Sequence, residues 1–195
     1  MNSLILETTE HGDVPVDIYQ KLSNDRILFI CGNYIDDKVS TDIVATLLLK
    51  DSEDSESKIT LFINAEGGDI RNVLMVYDMM NLIHAPIETV CIGSSFSEAT
   101  ILLTSGTKGM RLATKNAVIS VGQLTSESMH ISTLFTAKSI LDRSMQDHKR
   151  MMDIIAKGCG KPIKDVMKDF DRETFMTAAQ AVKYGIIDKV VSFHK

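Results

Sequence analysis

The chain has 195 residues, a formal net charge of −5, 44% hydrophobic and 24% charged residues, the profile of one ordinary globular domain rather than a disordered, fibrous or collagen-like chain. A core of this size needs neither disulfides nor a metal to hold it. No apolar run approaches the roughly 18–20 residues of a membrane span, the first ten residues carry no basic and then apolar leader, and Lys and Arg are scattered. Membrane and nucleic acid are therefore not expected partners, and the cytoplasm is the expected compartment.

In chain order, the apolar run over 25–31 ends at Gly32 and the run over 58–64 ends at Gly67-Gly68, and both predict buried strands. Between them Val39, Ile43, Val44, Leu47 and Leu48 recur at helical spacing, as do Val73, Val76, Tyr77, Met80 and Ile83. The acidic run DSEDSE at 51–56 reads as a solvated loop. A strand over 87–92, a turn at Gly93, a helix over 99–103 and strands over 110–113 and 117–121 continue the alternation, which implies an α/β fold with a parallel sheet and crossover helices.

The stretch 132–157 lacks Gly and Pro and stops at Gly158, predicting one helix of close to 40 Å, longer than the core of this domain requires. It is expected to project and pack against another chain. Short helices over 162–168 and 178–184 and a strand over 188–193 complete the expected fold. Cys31, Cys91 and Cys159 are far apart and show no C-x-x-C spacing, so they read as buried reduced thiols and not as a metal site.

Two places suit chemistry. Gly67-Gly68 follows a strand and permits the backbone to aim N–H groups at an oxyanion. The segment Gly93-Ser-Ser-Phe-Ser97-Glu98-Ala99 is a strand-to-helix turn that sets Ser97 beside the amide of Glu98, where unbonded N–H groups favour negative charge. A nucleophile next to an oxyanion hole needs this arrangement. Each feature alone also suits a plain turn and a helix N-cap, and the G-x-S-x-G elbow is absent.

Several motifs keep one order and spacing: Asp17-Ile18-Tyr19, Ile63-Asn64-x-x-Gly67-Gly68, Cys91-Ile-Gly93-x-x-x-Ser97, Leu102-Leu103-Thr104-x-Gly106-x-Lys108-Gly109-x-Arg111 and Ala181-Val-x-Tyr184-Gly185. Together they resemble the proteolytic subunit family of the Clp protease (ClpP), almost end to end. The resemblance implies a crotonase-like superhelix of strand-helix units in one domain over 1–195. Within it, 1–14 would be an axial segment, 15–121 and 159–195 a head, and 122–158 a projecting handle. It also implies stacked seven-membered rings of this chain or of an active ClpP paralogue, an AAA+ unfoldase of the ClpX, ClpA or ClpC type, unfolded polypeptide substrates, and no cofactor or metal.

Carried over by the resemblance, the nucleophile falls on Ser97, the oxyanion donors on the amides of Gly68 and Glu98, and the triad acid on Asp169. The family histidine, in a motif written IHQP, falls on Gly122 of Val121-Gly122-Gln123-Leu124. Without an imidazole Ser97 has no group to take its proton and return it to the leaving amine; loss of a triad histidine costs on the order of 10⁶-fold in kcat, about 8 kcal/mol. The glutamate beside Ser97 further disfavours an alkoxide. The expectation is thus a catalytically impaired structural or regulatory partner of active subunits, comparable to ClpR-like paralogues. The alternative is an active serine endopeptidase with an unorthodox or neighbour-supplied base, His130 being the first candidate. Glu98 does not suit the role, since side chains at i and i+1 of a helix point apart; His84, His148, His11 and His194 read as packing or surface residues, and Lys108 as a solvated turn residue. A crotonase-type acyl-CoA enzyme shares the oxyanion logic but not the spacing around Ser97.

Overall fold

The computed structural model describes residues 4–9, 12–122 and 133–191. The strand-helix alternation expected from periodicity is present: strand β3 (Ile27–Gly32), helix α2 (Asp37–Glu53), strand β4 (Ile59–Ala65), helix α3 (Ile70–Leu82), strand β5 (Ile87–Ser95) and helix α4 (Ala99–Thr104) follow one another. Strands β6 (Arg111–Thr114) and β7 (Val118–Val121) come next. After the long helix α5 (Leu134–Cys159) the chain forms α6 (Ile163–Asp169), β8 (Thr174–Thr177), α7 (Ala178–Tyr184) and β9 (Lys189–Val191).

Sequence patterning missed an N-terminal antiparallel hairpin, β1 (Leu4–Thr9) with β2 (Gly12–Asp17), the helix α1 (Ile18–Asn24) after it, and β8. Pro15 inside β2 hides that strand, because proline cannot donate to a ladder and is tolerated only on an edge. The acidic run is not a plain loop either: α2 extends through Glu53, Asp51 accepts the amides of His84 and Ala85 at 2.9 and 2.8 Å, and Asp54 accepts those of Glu56 and Ser57. Of the cysteines, Cys91 is buried, Cys159 half-buried and Cys31 exposed, and all three are free thiols.

The main sheet runs β3-β4-β5-β6-β9 with parallel pairing throughout, as the alternation requires. Strand β5 is the hinge of the topology. Its first half, Thr89 to Cys91, pairs with β6, and its end, Ser94 and Ser95, pairs with β7. The change happens at Gly93, whose φ of +78° lies in the left-handed region where glycine is at home, and the register against β4 shifts there. Asn64 of β4 holds the bulge: its Oδ1 accepts the Ser94 amide at 3.0 Å and lies 2.6 Å from where a Cβ on Gly93 would stand. The one departure from parallel order is β8, which pairs antiparallel with β7.

The core lies between sheet and helices, with Ile30, Leu61, Ile63, Leu47, Val73, Ile101 to Leu103, Met151 and Ile155 buried together. Helix α5 has 26 residues, about 39 Å. It does not stop at Gly158 as expected but runs to Cys159 and closes on Gly160 at φ +67°. Gly158 serves contact instead, since a Cβ there would stand 2.6 Å from Thr104 Oγ1 of α4. The C-terminal half of α5 is buried through Met151, Met152, Ile154 and Ile155, whereas Phe135, Leu141 and Met145 nearer its start are exposed. No helix of the described residues is long and apolar enough to cross a membrane.

One buried cation ties α4, α5, β6 and the segment before β9 together. Arg111 is 1% exposed; its Nε and Nη2 donate to Asp188 at 2.8 and 2.6 Å, and its Nη1 donates to the carbonyls of Gly158 and Thr104. The same contacts hold the Asp188 carboxyl well below the usual carboxylate range, so its contribution to stability is complete above the unfolded-state pKa and is lost as pH falls through the lower folded value. Asp188→Asn leaves the guanidinium buried without its counter-charge. The expected loss is about 3 kcal/mol, read as a fall of about 10 °C in thermal unfolding at neutral pH.

Candidate active site

The turn after β5 places Ser97 at the floor of an open cavity of about 850 Å³ lined by Asn33, Tyr34, Gly67, Gly68, Ser97 and Glu98, together with Glu66, Asp171, Arg172 and Glu173. Ser97 has φ +48°, a left-handed conformation that costs a residue with a Cβ roughly 1–2 kcal/mol. Local hydrogen bonds impose it: the Ser97 amide donates to the Ser120 carbonyl of β7 at 3.1 Å and the Ser97 carbonyl accepts the amide of Thr100. Thr100 locks the turn, its Oγ1 reaching the carbonyls of Ser95 and Ser120, both at 2.8 Å. The serine is thereby pushed out of the strand line. Its Oγ is buried and has no hydrogen-bond partner among the described residues.

Two amides face the same space. The N–H groups of Gly68 and Glu98 donate to no backbone carbonyl among the described residues, and both act on the Glu98 carboxylate. Only glycine fits at 68, because a Cβ there would stand 2.7 Å from Ile35 Cβ and 3.0 Å from Val73 Cγ2. Glu98 is 6% exposed. Burial pushes its carboxyl above the usual carboxylate range; its own amide, the Ser97 hydroxyl and the Gly68 amide oppose that rise, and the charge of Asp69 adds to it. Ser97 Oγ thus lies near enough to favour the ionised carboxylate without forming a hydrogen bond of good geometry.

The position expected for a histidine is occupied by backbone and glutamate. The register Val121↔Thr174 in the β7–β8 pair brings Glu173 against Gly122, where a Cβ would stand 3.0 Å from both Cα and Cβ of Glu173. Glu173 Oε1 accepts from Ser120 Oγ at 3.1 Å. Any side chain at 122 has to push this segment outward by a few tenths of an ångström.

The structure does not bring Asp169 to this site. It ends α6, exposed, with its Oδ2 accepting the Tyr184 hydroxyl at 2.8 Å, and it is not among the residues lining the cavity. The carboxylates from this segment that do line it are Asp171 and Glu173. Which carboxylate of Asp169-Phe-Asp171-Arg172-Glu173 reaches the cavity depends on the β7–β8 register, which the sequence does not reveal. Among the described residues no histidine lines the cavity, and His130 lies outside those residues. His84 stands 3.7 Å from Asp51 and His148 is on α5. Lys108 is not merely solvated: it pairs with Asp188 at 3.4 Å, beside Arg111.

A serine held at positive φ, two amides without backbone acceptors among the described residues and a sheet bent to bring them together make an arrangement that suits acyl transfer. The family profile described as Clp protease matches residues 10–194. The chain belongs to the Clp protease family. It is 36% identical over 191 residues to the ATP-dependent Clp protease proteolytic subunit of Ligilactobacillus salivarius (strain UCC118), covering 98% of this chain and 95% of that relative. It is 34% identical over 190 residues to the ATP-dependent Clp protease proteolytic subunit 1 of Thermobifida fusca (strain YX), covering 97% and 85%.

Membership in the Clp protease family does not make the turn cheap. A buried hydroxyl without a hydrogen bond of good geometry carries much of its desolvation penalty. Ser97→Ala removes that hydroxyl and keeps the backbone, so it is expected to stabilise the protein by about 1 kcal/mol, a rise of about 3 °C in thermal unfolding; a fall in its place would show that the hydroxyl is hydrogen-bonded in solution.

Proposed function

We propose that this chain is a wall subunit of a Clp-type proteolytic chamber whose own site is catalytically impaired, serving as a structural or regulatory partner of active subunits. The observation that carries the reading is Gly122 packed against Glu173 where the family's base would stand. In triad chemistry an imidazole takes the serine proton during attack and returns it to the leaving amine, and a buried acid holds its tautomer. Among the described residues the charged groups lining the cavity with Ser97 are four carboxylates, Glu66, Glu98, Asp171 and Glu173, and one guanidinium, Arg172. An acid-rich cavity raises the energy of a serine alkoxide and of an oxyanion alike.

The remaining pieces suit assembly. The exposed apolar side chains Phe135, Leu141 and Met145 on the first half of α5 are those a ring-to-ring handle would bury, and the N-terminal hairpin stands at the position assigned to an axial segment. Ser97, Gly68 and Glu98 keep the nucleophile and oxyanion places of the resemblance; Asp169, bound to Tyr184, serves as a packing residue, and the acid place passes to Glu173.

The test compares hydrolysis of a short fluorogenic peptide by wild type and Ser97→Ala, each alone and co-expressed with an intact ClpP paralogue. Alone, the two are expected to give the same background rate; co-expressed, both are expected to copurify with the paralogue in one assembly by native mass spectrometry. Ser97-dependent turnover by the wild type alone would overturn the impaired-site reading and turn attention to a base from another segment or subunit.

A further inference from the structure

The cavity already contains a buried carboxyl group of its own, that of Glu98. Glu98 is buried, and the groups that favour its ionised form are the amides of Glu98 and Gly68 and the Ser97 hydroxyl. Its Oε2 lies 3.1 Å from where a Cβ on Gly67 would stand, so the carboxylate is folded back over the Gly67-Gly68 turn. A buried carboxylate persists only where donors meet its charge. The donors that meet it here are the pair that acyl transfer would use for the negatively charged oxygen of its intermediate.

We propose that the Glu98 carboxylate plugs the Gly68–Glu98 amide pair, standing in for an oxyanion and closing the site to any ligand that must place one there. This rests on reading those two amides as the oxyanion hole, as under the proposed function. The plug is a second block, independent of the base. Even with a base supplied from elsewhere, a tetrahedral oxyanion at Ser97 would compete with a tethered carboxylate for the same two N–H groups. Among the described residues the other charges lining the cavity are Glu66, Asp171 and Glu173 against Arg172, and with Asp69 acting on Glu98 this acidic balance adds repulsion to any second anion.

The test uses a fluorophosphonate, which needs the nucleophile and the amides but no histidine if the pH is high. At pH 9 hydroxide takes the Ser97 proton, Oγ attacks phosphorus, fluoride leaves, and the phosphoryl oxygen seeks the amide pair. Rates are read by intact mass on the full-length assembled protein, for wild type, Glu98→Ala and Glu98→Gln, each also carrying Ser97→Ala as a blank, with thermal unfolding confirming the fold. Glu98→Ala is expected to raise the Ser97-dependent rate by on the order of 10²-fold, the value of an oxyanion-hole donor. Glu98→Gln, which keeps the shape and loses the charge, is expected to give an intermediate rise. Equal Ser97-dependent rates in all three would overturn the plug and leave the hole standing. No Ser97-dependent labelling in any of three natively melting proteins would overturn the hole itself, and the plug with it.

Discussion

The placement of Ser97 in the cavity depends on one bend. Strand β5 has to serve β6 with its first half and β7 with its end, and it does so because Gly93 takes a positive φ while the Asn64 side chain fills the space a Cβ would need and accepts the Ser94 amide. A straight β5 would continue along β6 and carry Ser97 away from Gly68. With the bend, the next turn falls between the end of β4 and the start of β7, and the Ser97 amide finds the Ser120 carbonyl. Bulges re-aim side chains at sheet edges in this way generally. The site is therefore a property of the sheet before it is a property of any catalytic residue.

The far side of the bend is held by charge. Arg111 starts β6 and is buried, and its guanidinium contacts reach Asp188, the α4 C-terminus at Thr104 and the α5 carbonyl of Gly158. A buried ion pair contributes little net energy when intact but a great deal of constraint, because breaking it strands a charge. The cavity side is the reverse: its carboxylates outnumber its single guanidinium, and backbone amides rather than cations carry the burden on Glu98. One end of the sheet is fixed by a matched ion pair, and the other, among the described residues, carries more carboxylates than cations.

The α/β framework was legible because its signals are local. Apolar runs of strand length, helical recurrence in Val39 to Leu48 and Val73 to Ile83, and glycine stops at 32 and 67 each act within a dozen residues. Ser97, Gly68 and Glu98 were legible through spacing around the same glycines, and the structure brings those three together. What failed was non-local. Strand β8 has four residues and no periodicity of its own; it exists because β7 offers it an edge, and its register decides that Glu173 and not Asp169 faces Gly122. Nothing in Asp169-Phe-Asp171-Arg172-Glu173 ranks its three carboxylates. The continuation of α5 past Gly158 had the same character, since a glycine that reads as a stop is there to let α4 approach.

The costs gathered at the turn separate into those the fold imposes and those the side chains add. The positive φ at 97 follows from the hydrogen bonds of its own amide and carbonyl, so any residue at that position inherits it. The buried hydroxyl, which makes no hydrogen bond of good geometry among the described residues, is an addition, because alanine would meet the same backbone without it. The two amides are again imposed: the close approach of Gly68 to Ile35 and the chain reversal before α4 leave their N–H groups without carbonyls. In an enzyme awaiting substrate, water or the substrate satisfies such donors. A subunit that never binds an oxyanion gains from an internal acceptor, and a glutamate one residue beyond the serine is long enough to fold back and supply it. On the proposed reading Glu98 is less a damaged catalytic neighbour than an internal acceptor for the two amides, and a carboxylate that stabilises an idle site would also oppose its revival.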